Sequence, residues 1–380
     1  MQRPNQAVVA GHICLDIIPA MPPIDPDALL APGAVVEIGS ALLCTGGSVS
    51  NTGRNLHRLG IPTRLMGKVG DDQFGQITLD LIRQDDPRLA DEMIIAPGET
   101  SSYTLVISPP GKDRFFMHCP GANHTFSAED VPYARLAEAR LFHFGYPPYI
   151  QRMYANDGAE LEELYCRAKA TGVVTSLDMA LPDPHGPSGQ VNWRRILERT
   201  LPYVDLFLPS LDELLFMLRP EAPHASDGLI SEIAAEVLDM GARVLVLKLG
   251  SRGLYVRTGP QGAPHTDDPD WRNCELWTPC FVPDPLVGTT GAGDATIAGF
   301  LAAILRDQPV KMAMTSAVAV GACNVEAADA LSGVRSWEET WARIKAGWAR
   351  ALLSIQAPGW TWDNLHQLWI GPHDKQQKGG

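Results

Sequence analysis

The sequence predicts an α/β protein built on a mainly parallel sheet with helices on both faces. From residue 139 onward, strand-like runs at 140–144, 173–178, 205–208 and 243–249 alternate with helical runs at 159–170, 210–218 and 229–240. The connections are short, as in β-α-β units. A second observation is the stretch 99–119. It holds two β-rich runs, 102–107 and 114–118, joined by Pro109-Pro110-Gly111-Lys112. That is a hairpin pattern with mixed faces, and it predicts a small sheet projecting from the main body.

The remaining elements follow in order. Residues 8–13 read as a buried strand ending near His12–Asp16, and 19–32 as a Pro-rich connection. Residues 34–44 have strand character, broken at Gly46–Gly47; 50–59 have helical spacing and stop at Gly60. Residues 63–69 read as the next strand, and 290–305, 311–324 and 337–355 as consecutive helices. The polar tail, 371–380, is expected to be mobile. Ligands in open parallel sheets lie beyond the carboxyl ends of the strands. This places Asp16, Asp178 and Glu213 near one rim.

Composition narrows the function. Of the 380 residues, 45% are hydrophobic and 20% charged, an ordinary globular balance. A net charge of −13 argues against nucleic acid as a partner. No run approaches the roughly 20 apolar residues of a membrane span. The apolar run at 7–13 is too short for a signal segment, so a cytoplasmic location is expected. The seven cysteines form no C-x-x-C pair, which predicts reduced, mostly buried thiols and neither a disulfide framework nor a zinc site.

The most informative segment is Gly288-Thr289-Thr290-Gly291-Ala292-Gly293-Asp294, leading into an apolar helical run. A Gly-rich turn before a helix leaves outward N–H groups that suit an anionic oxygen. A P-loop would carry Lys-Ser/Thr after its second glycine, and here that place holds Asp294-Ala295. A carboxylate beside an anion-binding turn makes sense as a base that takes the proton of an attacking alcohol. Alone, such a turn reads more readily as a plain helix start; the rest of the chain reverses that.

Six segments in order resemble the ribokinase-like (PfkB) carbohydrate kinase family. They are Gly46-Gly47-Ser48-Val49-Ser50-Asn51, the stretch Gly67 to Gly75, Pro120-Gly121-Ala122-Asn123, Pro209 to Glu213, Lys248 to Gly253, and the segment ending in Asp294. The resemblance spans about 8–324. It implies a ribokinase-like three-layer α/β sandwich forming one domain over 1–370. A small β-sheet lid would be drawn from about 12–45 and 99–125.

The resemblance also implies roles. Asp294 is the general base, and Gly291, Ala292 and Gly293 supply the anion-hole amides. Asp16, Gly46, Gly47, Asn51 and Asn123 bind substrate. Ser210, Lys248, Gly250, Gly253 and Asn324 lie on the nucleotide side. Glu213 organises Mg2+ through water. Lys68, Arg114 and His118 are further candidate contacts, each read more readily as an ordinary surface or sheet residue.

Two departures stand out. The family often has Asn where this chain has Ser210, and Asp where it has Gly288. The second removes an anionic ligand, so selective activation by a monovalent cation is not expected. The implied activity is transfer of the γ-phosphate of ATP to a hydroxyl, primary by expectation, of a sugar or sugar-like molecule. A nucleoside kinase and a non-catalytic metabolite-binding relative are the alternatives. A homodimer through the lid is a further implication. A dinucleotide-binding dehydrogenase lacks its G-x-G-x-x-G after the first strand.

Overall fold

The computed structural model describes residues 4–24, 32, 33, 35–110, 115–222, 224–264, 266 and 268–375. Its strands, in chain order, are β1 Ala7–Gly11, β2 Cys14–Pro19, β3 Ala41–Gly46, β4 Thr63–Met66, β5 Lys68–Gly70, β6 Ile94–Ala96, β7 Tyr103–Ile107 and β8 Phe115–Cys119. They continue with β9 Leu141–Gly145, β10 Val174–Asp178, β11 Leu206–Phe207, β12 Val244–Lys248, β13 Leu254–Thr258, β14 Glu275–Thr278, β15 Thr361–Asp363 and β16 Leu368–Ile370. The longer helices are α1 Ser48–Arg58, α2 Gln73–Arg83, α3 Ala159–Ala170, α4 Trp193–Thr200, α5 Leu211–Leu218, α6 Asp227–Asp239, α7 Ala292–Leu305, α8 Val310–Asn324 and α9 Trp337–Lys345.

Among the described residues the central sheet has ten strands, in the order β15-β16-β14-β13-β12-β11-β10-β9-β1-β4. The six from β12 to β4 run parallel, and β13, β14, β16 and β15 extend it by antiparallel pairing. Strand side chains alternate between faces. Val9, Leu65, Leu141, Val244 and Val256 pack with α1, α2, α7 and α8. Val8, Phe142, Leu177, Leu245 and Tyr255 pack on the other face with α3, α4, α5 and α6. This is the expected three-layer sandwich. The helix α7 is buried almost all round, which explains why its sequence is apolar on every side. The small sheet is β3-β2-β7-β8, with β2 and β7 parallel and the outer pairs antiparallel.

Several expectations change. The strand expected at 63–69 is two strands. At Gly67 the chain leaves the central sheet, and a Cβ there would lie 2.7 Å from Ile13 Cγ2; β5 then pairs with β6. Of the strand expected at 34–44, only the part from Ala41 forms, and Ala34 lies outside the described residues. Arg114, at the start of the second hairpin run, is also outside them.

The helix expected to reach residue 355 ends at Lys345, because Gly347 turns at φ 89°. Beyond it, Ala349 and Ala351 bond to Val282 and Cys280 as an extended segment. The tail expected to be mobile is anchored over 371–375. Gly371 N–H donates to Glu275 O at 2.7 Å, and Asp374 Oδ2 accepts from Glu275 N–H at 3.1 Å. The fully buried Glu275 carboxylate also needs partners, and His373 N–H donates to its Oε2 at 2.9 Å, which is the physical reason the segment docks. Residues 376–380 lie outside the described residues. Of the free cysteines, Cys14, Cys274 and Cys323 are buried and Cys166 is exposed. No helix among the described residues is long and apolar enough to cross a membrane.

Candidate active site

Asp294 sits in the first turn of α7 and is 4% exposed. The preceding Gly291 caps the helix at φ 70°, where a Cβ would lie 2.3 Å from Ala330 Cβ. Only glycine combines that turn with that closeness. Opposite, α1 starts at Gly47, whose φ of 85° and lack of Cβ let it sit on His12; an added Cβ would come within 2.6 Å of His12 Nδ1. This seating brings the first turns of α1 and α7 together.

The result is a carboxylate ringed by donors. Asn51 Nδ2 donates to Asp294 Oδ2 at 3.1 Å and Thr52 Oγ1 to Oδ1 at 3.2 Å. The Tyr146 hydroxyl lies 2.8 Å from Oδ1 and 2.9 Å from Oδ2. Burial raises the pKa of Asp294 above the ordinary carboxylate range, while Lys248 and these three donors oppose the rise.

On one side of Asp294 lies a cleft of about 660 Å³, lined by Tyr146, Ser210, Glu213, Lys248, Gly250 and the 291–293 turn, among others. It opens at the carboxyl ends of β10 and β12. Their last residues, Asp178 and Lys248, form an ion pair at 2.6 Å. Burial acts to lower the Lys248 pKa, but Asp178, Glu213 and Asp294 outweigh it and hold the ammonium charged. A Cβ on Gly293 would be 3.8 Å from Lys248 Nζ, so the ammonium faces the glycine turn. Ser210 caps α5 and pairs with Glu213 in a capping box, with Ser210 N–H donating to Glu213 Oε2 at 2.6 Å. The donor set of a helix N-terminus, a charged lysine and open glycine backbone fits a polyphosphate.

On the other side lies a polar cluster beneath the small sheet. Asp16 packs directly on Gly46, where a Cβ would meet Asp16 Oδ2 at 2.3 Å. Cys14 Sγ donates to Asp16 Oδ1 at 3.2 Å, and burial pushes Asp16 up to about 6. The His12 and His118 rings meet at Nε2···Nε2 3.3 Å, and Thr104 Oγ1 is 3.0 Å from His118 Nδ1.

The structure thus gathers Asp294, the 291–293 turn, Ser210, Lys248, Gly250 and Glu213 at one cleft, with Asn51 touching the base. Three expected ligands are differently placed. Asn123 is fully buried and spends its amide on Ile13 N–H, Ile13 O and Pro120 O, tying the start of the small sheet to its far loop. Asn324 is fully buried and donates to Thr290 O at 2.7 Å, holding the signature loop. Gly253 faces β14, where a Cβ would lie 2.0 Å from Thr278 O. Asp16 stands on β2 of the small sheet, not at the rim of the central sheet with Asp178 and Glu213, because the chain turns out of that sheet after Gly11. Lys68 donates to Thr125 O at 3.3 Å and lies 3.6 Å from Asp130, away from the cleft.

Sequence reasoning missed Thr52, Tyr146 and His12. Thr52 follows Asn51 directly, and that adjacency was an available signal. Tyr146 adopts φ 65° and ψ 48°, and nothing local announces a left-handed tyrosine.

Known proteins resemble this chain in sequence and in fold. Residues 5–336 match the family described as pfkB family carbohydrate kinase. A probable fructokinase-7 of Arabidopsis thaliana is 23% identical over 345 residues, covering 87% of this chain and 90% of its own. The structure of Arabidopsis thaliana ribokinase complexed with ribose and ATP superposes with a TM-score of 0.72 at 19% identity, covering 91% of this chain and 99% of its own. Fructokinase with bound ATP from Xylella fastidiosa gives a TM-score of 0.70 at 19% identity, covering 90% and 98%. With the family match extending over most of its length, the chain belongs to the pfkB family of carbohydrate kinases.

Proposed function

We propose that the protein transfers the γ-phosphoryl group of ATP to a hydroxyl, by preference a primary one, of a neutral sugar or sugar-like molecule. The observation that carries this is the position of Asp294, buried between a phosphate-type cleft and a polyol-type cluster. The acceptor oxygen bonds to the γ-phosphorus as the bond to the β–γ bridging oxygen breaks. The electron pair leaves on ADP, and the acceptor proton passes to Asp294.

Lys248 and the amides of the 291–293 turn balance charge on the transferred group. Glu213, with its first-turn carboxylate on the cleft wall, is suited to hold Mg2+ through water, and Mg2+ supplies further charge neutralisation at the phosphates. Asp16 accepts a pair of sugar hydroxyls. Asn51 Oδ1 and His12 Nδ1 are buried without a hydrogen-bond partner among the described residues, so they suit further hydroxyls. The small sheet closes over the sugar and excludes water. Leu42, Leu43, Phe116 and Met117 of that sheet are exposed, which supports pairing of two copies there.

A panel of sugars, sugar phosphates and nucleosides tests the reading, with Mg2+-ATP as donor and ADP release as the signal. A neutral sugar is expected to drive turnover. Preference for a nucleoside would move the chain to nucleoside kinase chemistry, and no response to any acceptor would overturn the proposal.

A further inference from the structure

A carboxylate has about four in-plane lone-pair sites. At Asp294 all four face a donor. Oδ1 faces Thr52 and Tyr146, and Oδ2 faces Asn51 and the same Tyr146 hydroxyl. A base takes a proton only from a group within about 2.6–3.2 Å. The acceptor alcohol therefore has no place at Asp294 until one donor withdraws.

The three donors are not equivalent. Asn51 and Thr52 each bring a proton of their own, and both are buried near the start of α1, at 7% and 0% exposure. Tyr146 has one O–H proton for two oxygens, so neither contact is a full hydrogen bond. Its ring lines the cleft instead of lying in the core. Its backbone is left-handed at φ 65°, a conformation that costs a non-glycine residue about 1–3 kcal/mol and persists where surroundings enforce it. The rings of His12 and Tyr149 are its neighbours, at centroid distances of 5.9 and 6.0 Å. A phenol donating to a carboxylate is also the same kind of contact that a sugar hydroxyl would make.

Resting on the kinase reading above, we infer that Tyr146 is a lock on the base: its hydroxyl occupies the acceptor's position while sugar is absent, and the sugar hydroxyl displaces it. The lock guards against futile hydrolysis. In that side reaction a water oxygen bonds to the γ-phosphorus, the bond to the β–γ bridging oxygen breaks with its electron pair leaving on ADP, and the water proton passes to Asp294. With the phenol oxygen standing over both carboxylate oxygens, it fills the approach that a water would need to reach either.

The test uses the purified full chain with Mg2+-ATP and the substitution Tyr146→Phe, with Tyr146→Leu alongside it as a second loss of the hydroxyl. Two quantities are read: ADP release without any acceptor, and KM for an acceptor found in the panel. Acceptor-free ADP release is expected to rise about tenfold, a modest share of what a freed general base contributes. The acceptor KM is expected to fall severalfold, since the sugar no longer competes with the phenol. A residue that merely supported the site would move both readouts the other way. An acceptor-free rate within about twofold of the unsubstituted protein in both variants overturns the lock. If the unsubstituted chain phosphorylates nothing in the panel, the kinase reading fails separately. A rise in ATP hydrolysis in the variants would still support the lock.

Discussion

Replacing Asp294 by Asn isolates proton acceptance from architecture. The carboxylate accepts from Thr52 at Oδ1 and from Asn51 at Oδ2, with the Tyr146 hydroxyl shared between the two oxygens. An amide oxygen at the Oδ1 position keeps the Thr52 and Tyr146 contacts. The new NH2 group would oppose Asn51 Nδ2, but Asn51 Oδ1 has no partner and a flip of that amide turns the clash into a hydrogen bond. Folding stability should therefore change by no more than about 1 kcal/mol, the net value of one hydrogen bond. Turnover should not survive so well. Loss of a general base costs about 10²-fold or more in kcat, which is about 2.7 kcal/mol of barrier. Steady-state ADP release with a saturating sugar, beside a thermal melt and an ATP titration, separates these effects. A variant that folds, binds ATP and keeps kcat within about tenfold of the original refutes the assignment of Asp294 as base.

Three further outcomes are expected. Asp16 is pushed up to about 6 by burial, so its carboxylate form is lost as pH falls through that value. Sugar KM should rise below about pH 6 with kcat less affected, and Asp16→Asn should remove that limb; a flat KM from pH 5 to 8 in the unsubstituted protein would contradict it. Lys248→Met removes the cation beside the fully buried Asp178; burial raises that carboxyl's pKa, so it takes up a proton, and the variant should lose about 1–3 kcal/mol of stability in a denaturant melt. An unchanged midpoint would show that the pair is not energetically coupled. Rates in K+ and Na+ should agree within about twofold, because Gly288 supplies no carboxylate to a cation site; strong selective activation by K+ would oppose this.

Much of the body was legible because its signals are local. The alternation of β10, α5, α6 and β12 is written in short apolar runs bounded by turn residues, and each run buries against its neighbours whatever the rest of the chain does. The antiparallel extension was not read. β15 and β16 are three residues each, and their pairing depends on β14 far away in sequence. The docked 371–375 segment went unseen for the same reason: it answers a buried glutamate nearly a hundred positions earlier.

By itself, the sequence determined that Asp294 heads a helix behind a glycine turn, since the φ of Gly291 and the apolar run after it are local necessities. It also determined which segments carry the family pattern. Only the tertiary structure decided what meets that carboxylate. Asn51, Thr52, Tyr146 and Lys248 come from α1, the loop after β9 and the end of β12, and hydrogen-bond geometry depends on ångströms that packing alone supplies. The same physics decided that Asn123 turns inward, because a buried amide must find backbone partners before it can serve a ligand.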